Sequence, residues 1–313
     1  MADAQDSGAV ARATFFVKDD RLRPVWRIVL FAIVVACLTT VFWSVWEIAV
    51  GGLEREPPFL DEAIAAEIAG AVAVVIAAYV LRLFVDRRSI TSLGLSPRGL
   101  WLRLFVVGVC LGAGMQAIVF ALEALSGSTR VVSLAPVASD LRLLLPASGV
   151  FAAGALLEEL CFRGYLFQNF WEGFGLIPAI VVTSVLFACL HLGNPSALSA
   201  PAATFFGLVF FAVWACCSLL WTRSLWLVLG AHFAWNLFEG PVFGFPVSGL
   251  LMPMRTVIIQ RTAGPPWLTG GAFGPEAGVS SLIAMTIGLL LLRWLYARGF
   301  FANVPDDRES YAR

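Results

Sequence analysis

Eight apolar runs, separated by short polar stretches, organise the chain: Trp26–Val50, Ala63–Val85, Trp101–Leu125, Leu141–Phe170, Ile177–Leu192, Ala202–Trp221, Leu225–Phe238 and Val279–Tyr296. About 20 apolar residues in a helix cross a ~30 Å hydrocarbon core. The pattern therefore predicts an all-α, polytopic membrane bundle of about eight transmembrane helices. Residues 1–24 and 297–313 are polar tails on either side of a single transmembrane domain, 25–296. The fourth run would be roughly 45 Å long as a helix, so it must tilt, kink or protrude. Ser92-Leu93-Gly94-Leu95 is too short to span and is expected at the membrane interface. Thr222-Arg223-Ser224 is a tight turn that predicts antiparallel neighbours in the sixth and seventh runs. Gly108 and Gly112, four residues apart, permit a close backbone approach.

Composition agrees with this pattern: 59% of the residues are hydrophobic and 13% charged, against about 25% charged in soluble domains. The balance of 21 basic and 21 acidic residues gives no sign of a nucleic-acid partner. Basic residues cluster in the first tail (Arg12, Lys18, Arg21, Arg23), around Arg87, Arg88 and Arg98, and in the last tail (Arg298, Arg308, Arg313). The opposite loops hold few, among them Arg55, Arg130, Arg255 and Arg261. By the positive-inside rule both termini face the cytoplasm. All but one of the basic residues are arginine, which hints at a GC-rich bacterial genome and hence an inner-membrane protein. The first apolar run lacks a small-residue cleavage site and reads as a true span. The six cysteines lie in apolar runs without a CxxC pair, as free thiols packed between helices.

The chemistry is concentrated at Glu158-Glu159-Leu160-Cys161-Phe162-Arg163, inside the fourth apolar run. Ionisable groups at membrane depth are costly and mark functional sites by default. Glu159 and Arg163 are spaced i,i+4 with the acid first, the favoured orientation for a helical ion pair. Glu158 is turned about 100° away and has no partner at i+3 or i+4. It needs a proton, a metal or a remote cation. The only two histidines, His191 and His232, also fall in apolar runs. Phe187 shares a face with His191, and His232 shares one with Asn236. Each histidine alone has a bland alternative as a helix–helix hydrogen-bond donor. Glu123 and Glu239, at run ends, read as interfacial and solvated, and Trp221, Trp226 and Trp235 as belt or packing aromatics.

Together these groups could line one wet cavity. Zinc suits ligation by Glu158, His191 and His232 and would activate bound water. Without metal, a carboxylate base with a histidine partner remains, with His232 and Asn236 as donors toward an oxyanion. The sequence leaves both chemistries open, and the HExxH signature is absent. A non-catalytic membrane scaffold retaining the motif is one alternative. A proton-coupled transporter is another, weakened by the lack of a visible internal repeat.

The three motifs Glu158-Glu159-x-x-x-Arg163, Phe187-x-x-x-His191 and His232-x-x-x-Asn236 resemble those of the CAAX protease and bacteriocin-processing (CPBP) family of intramembrane proteases. That family is also called ABI, and its eukaryotic relative is the type II CAAX prenyl endopeptidase. The resemblance spans roughly 140–240. It implies an eight-helix intramembrane peptidase acting on a membrane-associated peptide or protein within the lipid bilayer. Glu158 and His191 would activate the attacking water, and His232 and Asn236 would stabilise the oxyanion. Glu159 and Arg163 would support them. The physiological substrate does not carry over. Helical rise alone puts His191 roughly 22 Å and His232 roughly 11 Å from the cytoplasmic helix ends, a mismatch for groups meant to meet.

Overall fold

The computed structural model describes residues 15–18, 21–50, 59–97, 99–135, 137–251 and 256–302. Most of both tails, Glu54–Pro58 of the first loop, and Arg12, Arg55, Arg98, Arg255, Arg308 and Arg313 lie outside the described residues. The architecture is an all-α bundle of α1 (Pro24–Val50), α2 (Phe59–Phe84), α3 (Trp101–Leu125), α4 (Val137–Glu159), α5 (Phe167–Phe174), α6 (Leu176–His191), α7 (Pro201–Thr222), α8 (Leu225–Leu237) and α9 (Val279–Ala297). Between α4 and α5 the chain continues as a π-helix, Leu160–Leu166. Two strands, β1 (Thr129–Leu134) and β2 (Ile258–Thr262), pair antiparallel and tie the loop after α3 to the one before α9.

Among the described residues, six helical stretches are long and apolar enough to cross a membrane: 24–50, 64–84, 101–125, 144–174, 201–222 and 279–297. The chain is an integral membrane protein. The fifth and seventh apolar runs are shorter, at 16 residues in α6 and 13 in α8. An apolar helix of that length is more often a buried core element than a lipid-facing span, and α8 is one. Leu225, residues 227–232, Ala234 and Trp235 are all buried. Its main partner is α3 rather than its chain neighbour α7. The glycine pair explains this choice. A Cβ on Gly108 would lie 2.1 Å from Leu227 O, and one on Gly112 2.2 Å from Ala231 O, so only glycine lets the two backbones meet.

The Ser92–Leu95 segment is packed against the bundle. It forms a 3-10 turn, Ile90–Leu93, with Ser92 and Leu93 buried. Gly94 O accepts the Leu225 N–H at 2.9 Å, so the turn caps α8.

A buried polar cluster fixes this end of the bundle. Arg82 reaches Asp86 at 3.0 Å, Ser92 Oγ at 2.8 Å and Gln168 Oε1 at 3.0 Å. Tyr165, in the π-helix, donates to Asp86 at 3.0 Å. Arg27 and Arg88 both reach Glu172, at 3.2 and 3.0 Å. Charged groups this deep are tolerated because they neutralise one another. The cluster joins α1, α2, α5 and the π-helix.

Candidate active site

The long fourth run meets its length problem by a local change of winding. At Glu159 the α-helix gives way to a π-helix carrying Arg163. Such π segments are rare and occur often at functional sites. The i,i+4 ion pair survives: Arg163 Nη1 is 3.1 Å from Glu159 Oε1, and both side chains are almost wholly buried. Glu159 Oε1 also lies 2.8 Å from His232 Nδ1. A carboxylate only accepts, so Nδ1 carries the proton and Nε2 is left facing the cavity.

His191 is oriented in the same way by backbone. Its Nδ1 lies 2.8 Å from Phe187 O, and a carbonyl again demands an N–H donor. Phe187 therefore serves the histidine through its carbonyl, and its ring stacks on the imidazole with centroids 4.4 Å apart. The same ring lies 4.7 Å from the Arg163 guanidinium. Phe211 packs edge-on to His232 with centroids 4.9 Å apart.

The two Nε2 atoms point at Glu158. His191 Nε2 is 3.7 Å from Glu158 Oε1, and His232 Nε2 is 3.7 Å from Glu158 Oε2. These distances are too long for direct hydrogen bonds. They suit a small polar molecule seated beside each pair and bonded to both. Glu158 is 24% and His191 14% exposed, against 6% for His232 and 0% for Glu159. The open side of the site is thus Glu158 with His191, and the closed side is His232 with Glu159 and Arg163. Asn236, one turn after His232, has a buried Oδ1 with no protein partner.

Zinc was one expectation for Glu158, His191 and His232. Among the described residues no group of three or more His, Cys, Asp or Glu side chains is arranged to hold a metal ion.

Two further carboxylates, Glu67 and Glu276, lie within electrostatic reach of these groups. Glu67, on α2, lies within electrostatic reach of Glu158, His191 and His232. A lone carboxylate in an apolar helix is itself the signal for it. Glu276 lies near His191, His232 and Glu158 and accepts the Ser248 hydroxyl at 2.7 Å. Burial raises its pKa above the usual carboxylate range.

Glu123 and Glu239, expected to be interfacial and solvated, are both fully buried. Glu123 accepts hydroxyls of Thr129 and Ser280, each at 2.9 Å. The loop before α9, tied down through β2, folds back and covers these run ends. Neither oxygen of Glu239 has a hydrogen-bond partner of good geometry among the described residues, although the Trp235 indole lies close by, and burial with Glu276 nearby raises its pKa well above the usual value. A carboxyl kept protonated in the fold adds no penalty below its unfolded pKa, near 4.5. It erodes stability as pH rises above that value toward the raised one. Glu239→Gln is therefore expected to raise the unfolding temperature in detergent at pH 7–8 and leave it unchanged near pH 4. An equal effect at both pH values would refute the buried acid.

Residues 140–238 match the family model of the Rce1-like proteins, described as type II CAAX prenyl endopeptidase Rce1-like. The matched segment contains Glu158, Glu159, Arg163, His191, His232 and Asn236. No curated protein and no solved structure matches the chain.

Proposed function

We propose that this chain is an intramembrane endopeptidase of the CAAX-processing type, hydrolysing a peptide bond with water activated by Glu158 and His191. The single observation that carries this reading is the convergence of both histidine Nε2 atoms on Glu158 at 3.7 Å. A water beside Glu158 Oε1 and His191 Nε2 can give its proton to the carboxylate as it attacks the carbonyl carbon. His232 has a carboxylate behind Nδ1 and can carry positive charge, presenting Nε2–H to the developing oxyanion. The Asn236 Nδ2–H donors are the second group proposed for that oxyanion. Glu159 and Arg163 hold His232 and compensate each other's charge.

The match over residues 140–238 supports a prenylated, CAAX-like or otherwise membrane-associated peptide as substrate. A bundle crossing eight times, counting the two short helices, with both termini in the cytoplasm, accords with the arginine distribution of the loops. The test is cleavage of an internally quenched prenylated CAAX peptide by detergent-purified protein. Cleavage is expected, abolished by His191→Ala and unaffected by 1,10-phenanthroline. No cleavage by the wild type would sink the reading, and loss of activity on chelation would overturn the metal-free chemistry.

A further inference from the structure

From the position of Glu67 we infer a second catalytic carboxyl, one that donates the proton to the leaving amine; this rests on the peptidase reading above. Glu67 comes from α2, a helix outside the matched segment. It points at the face of α4 that carries Glu158: its Oε2 would lie 3.2 Å from a Cβ built on Gly154, one turn before Glu158. Gly154 leaves the room in which the carboxyl sits. Glu67 has no hydrogen-bond or ion-pair partner among the described residues. Its electrostatic neighbours are Glu158, His191 and His232. It is thus a carboxyl beside Glu158 and both histidines, hydrogen-bonded to nothing among the described residues.

Chemistry supplies the vacancy it fills. Amide hydrolysis needs a base for the water and an acid for the departing nitrogen, because an amide anion is too poor a leaving group. Two carboxyls facing one low-dielectric cavity do not both stay ionised, and such pairs divide into base and acid. Glu158 lies between two imidazoles and is the base. Glu67 shares the reach of both imidazoles but forms an ion pair with neither among the described residues, and it holds the proton. Water adds to the carbonyl carbon while its proton passes to Glu158. The C–N bond then breaks with its electron pair going to nitrogen, and the Glu67 proton follows it. The products are a carboxylic acid and an amine. The proton on Glu158 returns to the Glu67 carboxylate, and the net change is one water consumed.

An ester leaving group has little need of that proton, so the test compares two probes. One is the quenched prenylated CAAX peptide, and the other is its depsipeptide twin with an ester at the scissile position. Glu67→Gln is expected to slow amide cleavage by about 10²-fold and ester cleavage by less than about threefold. Gly154→Ala, which crowds the Glu67 carboxyl, is expected to shift the ratio in the same direction but less. Because both probes meet the same protein, partial misfolding cancels in the ratio. Equal losses on amide and ester, or no loss on the amide, overturn the assignment of Glu67. Wild-type rates for Glu158→Gln on both probes, or no cleavage by the wild type, overturn the parent reading instead.

Discussion

Glu158→Gln lowers the rate of peptide cleavage by about 10²–10⁴-fold, the usual contribution of a positioned general base, with no change in unfolding temperature. The two halves of this expectation have one structural cause. Glu158 makes no direct hydrogen bond among the described residues, and the two imidazole Nε2 atoms lie 3.7 Å from its oxygens. Its Oε2 is buried and unpartnered. An isosteric amide therefore removes no stabilising contact, yet it cannot take a proton from water. His191→Ala is expected to lose a similar factor. The double variant should lose little more than either alone, because the two act on one water. The measurement is turnover of the quenched peptide beside a thermal melt in the same detergent. Wild-type turnover in Glu158→Gln would end the base assignment. A large drop in unfolding temperature would mean that the carboxylate is structural.

Local relationships were legible in the sequence, and long-range ones were not. The Glu159–Arg163 pair, the Phe187–His191 turn and the shared face of Gly108 and Gly112 follow from helical spacing, which any helix imposes on its own residues; the α8 backbone that packs on those glycines does not. The link from Glu159 to His232 spans 73 positions and depends on how α8 is threaded into the bundle. Periodicity could not place α8, because the protein interior and the lipid core are equally apolar. That ambiguity also underlies the count of spans. The burial of Glu123 and Glu239 was missed for a related reason. A run end was equated with a membrane edge, whereas here the loop before α9 returns to cover it. Glu67 lay outside every motif. Only the fold shows that its carboxyl meets the face of α4 bearing Glu158.

Arg163→Met is expected to destabilise the protein by about 3–5 kcal/mol, the usual cost of breaking a buried ion pair by removing one partner. The arginine is 1% exposed and Glu159 is 0% exposed, so no solvent is at hand to replace the lost charge. Glu159 would keep only His232 Nδ1 as a partner, since its Oε2 has none. The guanidinium also lies 4.7 Å from the Phe187 ring, so its loss loosens the wall that orients His191. Glu159→Gln alone should be costly for the converse reason, leaving a buried guanidinium without its counter-charge. The double variant, Glu159→Gln with Arg163→Met, carries no uncompensated charge and is expected to recover much of the stability. It should not recover activity, because an amide behind His232 Nδ1 no longer supports positive charge on that ring. Unfolding temperatures of the three variants form a double-mutant cycle. Strong coupling in stability, with activity lost in all three, is the expected pattern. A stable, well-accumulating Arg163→Met, or additive effects with no coupling, would show that the pair does not hold the site together.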